Sequence, residues 1–300
     1  MVKKIQMFIF TSALLAIISS SVWAGAWTMP AGKLYTRLAY SEYDSQRFFN
    51  ENGTSKNYSP GDAAKQRNFD YDEQTWSFYN EYGLLDNLTL IGSFDYKELE
   101  WTFQSITLPN GKYISDKNTK SSGLGDINFG LRYRLLATES GALSFQAMYK
   151  TAEAYDEKHL GPLEIQLGDA QDDFEMRLQY GQSLYPIIPG YFNVEAGYRW
   201  RSEYMADEFV YLIEAGVDIT KALYLRTKLD ATANVGNGDD APTNLVDSNP
   251  CEVDLGKLEV TVGYKIIAQL ALEASYFNEL YGASTTKGET WSLALAATLF

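Results

Sequence analysis

The 300-residue chain has little of what most chemistries require. Its single cysteine, Cys251, excludes an intrachain disulfide, and its single histidine, His159, removes the zinc, copper and imidazole-based catalytic sites that need several such side chains. Lys and Arg are scarce, 25 against 39 Asp and Glu, and a formal charge of -14 argues against a nucleic-acid partner drawn by phosphate charge. Only 8 prolines are present beside 22 Tyr, 15 Phe and 6 Trp, so the composition is not that of a disordered chain. Past residue 24 no stretch approaches the roughly 18 uninterrupted apolar residues of a membrane helix. No spacing of potential ligands points to a metal or a cofactor, and none is expected.

The first residues are of a different kind. Lys3 and Lys4 precede an apolar run from Ile5 to Ile18, followed by Ser19-Ser20-Ser21-Val22-Trp23-Ala24, the order of a secretory signal peptide with cleavage after Ala24 or Ala26. The expected organisation is a signal peptide over 1–24 and one domain over 25–300. Removing the leader takes two lysines and no acids, leaving a balance of 23 against 39, or -16.

From Leu34 onward apolar and polar residues alternate with period two in twelve blocks, the pattern of strands with two unlike faces. Ile127, Phe129, Leu131, Tyr133 and Leu135 alternate with charged, amide or glycine residues; Phe174, Met176, Leu178 and Tyr180 alternate with Glu175, Arg177, Gln179 and Gly181. The connections alternate as well. Long polar loops are expected over 44–68, 104–122, 154–172 and 235–253, and tight turns at 85–87, 137–141, 185–190, 220–222 and 268–269. Long loops on one rim and short turns on the other describe a meandering antiparallel barrel of the outer-membrane type, with strands of about 10 to 14 residues. Aromatics on the apolar parity form two belts: Trp76, Trp101, Phe174, Trp200, Phe209 and Trp291 toward the long loops, and Tyr82, Tyr133, Phe192 and Tyr264 toward the short turns. Two such girdles are what lipid headgroup interfaces select. Asn80 falls on the lipid parity against the pattern.

The last strand ends Leu295-Ala296-Ala297-Thr298-Leu299-Phe300, which resembles the C-terminal strand of Gram-negative outer-membrane proteins. That resemblance implies recognition of Phe300 by the barrel assembly machinery, although Phe300 has the opposite parity to Leu299. Gly123-Leu124-Gly125-Asp126-Ile127 and the stretch from Gly168-Asp169 through Gly181, Glu195-Ala196-Gly197-Tyr198-Arg199-Trp200-Arg201 and Asp207-Glu208-Phe209 resemble the outer-membrane transporters grouped with meta-pathway phenol-degradation proteins. The resemblance covers about the middle third of the chain. It implies a Gram-negative outer-membrane location, contact with lipid and lipopolysaccharide, and a passive route for small molecules, hydrophobic or aromatic compounds among them.

If the apolar parity meets lipid, the polar parity lines the lumen. Arg37, Arg132, Arg134, Arg177, Arg199, Arg201, Arg226 and Lys228 then face inward with Glu175, Glu195, Glu214, Asp218, Glu259 and Glu273. Near-balanced signs in a narrow barrel should pair into ladders across neighbouring strands. Such ladders can be purely structural or can line a pathway for a small solute. Twelve strands lie between the eight that side chains fill and the sixteen or more that leave an open pore. A structural or surface-interaction barrel is the alternative function, and a lipid-modifying enzyme the third. For the latter no catalytic residue stands out: His159 in Glu157-Lys158-His159-Leu160 has no serine at a telling spacing, the acid pairs Asp172-Asp173 and Asp239-Asp240 read as solvated loop residues, and Cys251 reads as an incidental thiol.

Overall fold

A computed structural model of the chain describes residues 25–57, 65–107, 112–151, 153–154, 167–169, 171–239 and 248–300. The signal-peptide residues 1–24 and His159 with its flanking acids lie outside the described residues.

The alternating blocks form β1 (Leu34–Phe49), the short β2 (Ser55–Asn57), β3 (Lys65–Leu85), β4 (Leu88–Thr107), β5 (Lys112–Ala137), β6 (Gly141–Thr151), β7 (Asp173–Ser183), β8 (Gly190–Arg201), β9 (Glu208–Asp218), β10 (Leu223–Asn234), β11 (Asp254–Ile267), β12 (Leu270–Ala283) and β13 (Thr285–Leu299). Apart from β2, each strand pairs antiparallel with the next, and β13 returns to β1 in register from Leu34 opposite Leu299 to Phe49 opposite Thr285. The product is a closed twelve-stranded barrel, with β2 appended to the end of β1 at Arg47–Phe49. Closure leaves no sheet edge, so the backbone can cross a bilayer with its polar groups paired.

The two faces separate as the period requires. Leu178, Val194, Ile213, Val262, Leu293 and Leu295 are exposed on the outside, while Glu195, Glu214, Glu259 and Glu273 on the other parity are buried within. Trp76, Phe174, Trp200, Phe209 and Trp291 are exposed on the outer surface at the long-loop level, and Tyr82, Tyr133 and Tyr264 at the short-turn level. Phe192 shares that face, packed on Tyr180 at 6.0 Å between ring centres. Asn80 does point outward, between Thr36 and Gly92 of the neighbouring strands.

Two expectations are corrected, and one point left open, the register of the last residue, is answered. The segments expected as long loops at 44–68 and 104–122 are largely strand: β1 runs to Phe49, β3 starts at Lys65, and β4 and β5 pair as far as Thr107 opposite Lys112. Polar composition there reflects strands that leave the bilayer, not chain that leaves the sheet, and β5 reaches 26 residues instead of 14. Trp101 is not in the outer belt. It stands opposite Tyr71 and Thr119 on the inner parity, with the buried Leu99, while Asp72 and Glu98 face out. Beyond the lipid both faces meet water, and the apolar side becomes the sheltered inner one. Finally, β13 stops at Leu299. Phe300 turns out of register with a φ of 69° and an 81% exposed side chain, and its carbonyl oxygen accepts from Lys33 Nζ.

Candidate functional site

The barrel encloses a chamber of about 740 Å³. Seven cations line it (Arg37, Arg132, Lys150, Arg177, Arg199, Arg226 and Lys228) beside seven acids (Glu81, Asp126, Asp173, Glu175, Glu195, Glu214 and Glu259). Each of the fourteen has an opposite charge within 3.9 Å. These charged groups carry no net charge between them, and Ile91, Met148, Leu212 and Phe277 add apolar patches to the wall.

Three clusters make up the lining. At the short-turn end Arg132, 4% exposed, holds Glu81 through two bonds, Nη1 to Oε2 at 2.9 Å and Nη2 to Oε1 at 3.0 Å. Its Nε donates to Gln146 Oε1 at 3.2 Å, and Nη1 also reaches the Trp27 carbonyl at 3.1 Å. Tyr79 donates from the far side to Glu81. A guanidinium with this many acceptors can stay ionised away from water.

The second cluster runs along β9 to β12 and across the seam to β1. Arg226 sits among Glu259 at 3.2 Å, Glu273 at 3.5 Å and Glu214 at 3.9 Å. Lys228 pairs with Glu259 at 2.7 Å and Arg37 with Glu273 at 2.9 Å. Tyr224 and Tyr191 donate to Glu273 and Glu214, each at 2.7 Å. Both rings lie across a glycine of the next strand, where a Cβ on Gly263 or Gly216 would fall 2.0 and 2.4 Å from ring atoms. Glycine at these two positions is what lets a large inward tyrosine fold flat against the wall.

The third cluster closes in toward the long-loop mouth. Glu175 is shared by Arg177 and Arg199, and Glu208 by Arg199 at 2.6 Å and Arg201 at 3.1 Å. Arg201 also meets Asp169 and Asp173, and Lys150 meets Asp173 at 2.7 Å as well as Asp169 and Asp126. The loop that carries Asp169 enters the lumen, with Leu167 against Gly123 and Gly125 on β5. Burial works against ionisation of Asp169, yet Lys150 and Arg201 hold its carboxyl below the usual carboxylate range. Asp173 is therefore not the solvated loop acid expected from its neighbour-pair pattern; it is 4% exposed at the head of β7 and bound to two cations.

Of the fourteen residues expected inside, ten line the chamber directly. Glu273 lies just behind, bonded to Arg37; Arg201 stands in the mouth cluster; Asp218 pairs with Lys265 at 2.8 Å toward the short-turn ends of their strands; and Arg134 stands opposite Ser144 toward the same rim. Cys251 is buried, and burial together with Asp239 and Glu252 pushes its thiol above the usual value, away from thiolate chemistry. Two parts of the site were not anticipated. One is the set of inward tyrosines, although Tyr35, Tyr79, Tyr191 and Tyr224 share the polar parity of Arg37, Glu81, Glu195 and Arg226, a signal that places them inward. The other is the stretch Gly25–Ala31, which lies across the short-turn end of the lumen: Ala26, Thr28 and Met29 are buried, and Gly25 forms part of the chamber surface.

This architecture has a solved counterpart. The COG4313 outer membrane channel from Pseudomonas putida F1 superposes with a TM-score of 0.62, covering 91% of this chain and 98% of that one at 12% identity. The chain has the outer-membrane β-barrel fold. A NanC porin, 5% identical over 87% of this chain and 100% of that chain, reaches a TM-score of 0.49, and the CymD monoaromatic hydrocarbon channel, 9% identical over 90% and 89%, reaches 0.43; neither adds to the argument. No family model and no curated protein matches the sequence.

Proposed function

We propose that the protein is a passive outer-membrane channel for small, polar solutes of low net charge. The observation that carries this reading is the charge pairing of the chamber, a space of about 740 Å³ whose seven cations and seven acids neutralise one another. That volume is of the size that holds a small molecule. Paired charges offer many hydrogen-bonding groups and no surplus field, so an ion of either sign gains little on entry while a solute rich in hydroxyl, amide or zwitterionic groups can exchange bonds along the wall. The resemblance to meta-pathway transporters points instead to hydrophobic or aromatic solutes. The ion-paired lining favours the polar class, because an apolar solute would displace water from charged groups without replacing its hydrogen bonds.

Purified barrel reconstituted in planar bilayers and in solute-loaded liposomes tests this. Weakly ion-selective conductance, with neutral polar solutes entering faster than organic anions or aromatic hydrocarbons of equal size, is expected. A folded barrel with neither conductance nor flux rejects the channel, and preferential uptake of the aromatic solute rejects the polar class.

A further inference from the structure

Across the short-turn end of the chamber lies a segment that belongs to no strand. Residues Gly25–Ala31 cross the mouth and touch strands from β4 round to β8. Ala26 N–H donates to Asn193 Oδ1 at 3.1 Å, and the Ala26 carbonyl accepts from Ser144 Oγ. The Trp27 carbonyl accepts from Arg132, Met29 N–H donates to Thr89 Oγ1 at 2.8 Å, and Asp86 receives Thr28 Oγ1 at 2.7 Å and Ala31 N–H at 3.0 Å. The Trp27 ring fills a notch over Gly181, where a Cβ would fall 2.4 Å from a ring carbon, and meets Tyr191 edge-on at 6.1 Å.

The manner of attachment matters more than its extent. Each of these hydrogen bonds joins a backbone group on one partner to a side chain on the other, or in the case of Thr28 a side chain to a turn carbonyl. None belongs to a strand ladder. Displacing it leaves every ladder of the barrel intact and returns Asn193, Ser144, Thr89 and Arg132 to water, while exposing the buried Ala26 and Met29 and the Trp27 ring. The segment joins β1 through a tight turn, in which Lys33 N–H donates to the Pro30 carbonyl at 3.0 Å and Gly32 takes a φ of +76°; Gly32 N–H and the Lys33 carbonyl are bonded to Gly83 of β3. That turn is a fixed post, and only the chain ahead of it is free of backbone pairing with the barrel.

We infer that Gly25–Met29 is a displaceable gate across the short-turn mouth, swinging ahead of the fixed Pro30–Lys33 turn to connect the chamber with the compartment beyond. Trp27 is its latch and Gly181 the keep. The inference rests on the channel reading, which it completes: the chamber conducts when the segment has left.

The test uses the full chain with Cys251→Ser. Ala26→Cys with Asn193→Cys places a disulfide where the segment meets β8. Oxidation should lower bilayer conductance several-fold, reductant should restore it, and Trp27→Ala alone should raise it. Hydrogen exchange on the unmodified chain is the second readout: the buried amides of Ala26 and Met29 should exchange by orders of magnitude faster than those of the β7 ladder, because local opening suffices for the former. Conductance indifferent to oxidation in a conducting barrel, or exchange at Ala26 and Met29 as slow as in β7, overturns the gate. Fast exchange there, speeded further by Trp27→Ala, in a barrel that never conducts overturns the channel reading and leaves the moving segment standing.

Discussion

The two ends of the lumen are built on opposite principles. Toward the short turns one buried cation, Arg132, organises Glu81, Gln146 and the Trp27 carbonyl, and among the described residues Glu81 is its only acid within ion-pair distance. Toward the long loops Lys150, Arg199 and Arg201 share Asp169, Asp173, Glu175 and Glu208, so that every member has at least two opposite charges in reach. The first arrangement is exact and brittle, the second redundant. The difference lies in how many opposite charges share each group and not in burial, since Arg201, Asp173 and Glu208 are as enclosed as Arg132 and Glu81.

The largest expected effect comes from removing the sole partner in the brittle cluster. Glu81→Ala leaves Arg132 buried without a counter-charge and should destabilise the barrel by about 3 to 5 kcal/mol in a denaturant titration in micelles. Adding Arg132→Met to that variant removes the stranded charge, so the double variant should recover a large part of the loss; a double variant no better than Glu81→Ala would show that the cation is not what makes the site brittle. In the redundant cluster Glu208→Ala leaves Arg199 with Glu175 and Arg201 with Asp169 and Asp173, and a loss of about 1 to 2 kcal/mol is expected. Equal losses for Glu208→Ala and Glu81→Ala would erase the distinction between the ends. The smallest effect belongs to Asp218→Ala. It breaks the pair with Lys265 near the short-turn rim, where Asp218 is 41% exposed, and should cost about 1 kcal/mol or less. A large loss there would mean that position along the barrel, not burial, sets the cost.

The barrel was legible in the sequence because each membrane-spanning face meets one solvent, so that a period of two writes both surfaces at once. The reading weakened wherever a strand left the lipid. Trp101 obeys the rule for a sheltered inner face above the membrane, and nothing in its neighbours' polarity marks where that rule takes over. At the mouth, Asp169 and Asp173 look in sequence like any loop carboxylates, but strand register sets Asp173 directly opposite Lys150 of β6 and Arg201 of β8, and Asp169 reaches the same two cations from outside the strands. Pairing inside the lumen was foreseeable as a balance of signs, but Arg226 meets Glu259 of β11 and Glu273 of β12 through register and side-chain reach that no local pattern encodes. Gly25–Ala31 has no periodicity at all, because its hold on the barrel comes from side chains scattered over β4, β5, β6 and β8.

The seam where β13 meets β1 sets an order of events. Leu34 lies against Leu299, 265 positions further along the chain, and the ion pair from Arg37 to Glu273 crosses that same join. A strand made first must wait, its hydrogen-bonding edge unanswered, for the strand made last. Contacts so distant in sequence are slow to form. Until β13 pairs with β1 the sheet keeps two unpaired borders, and an enclosed lumen exists only once they join.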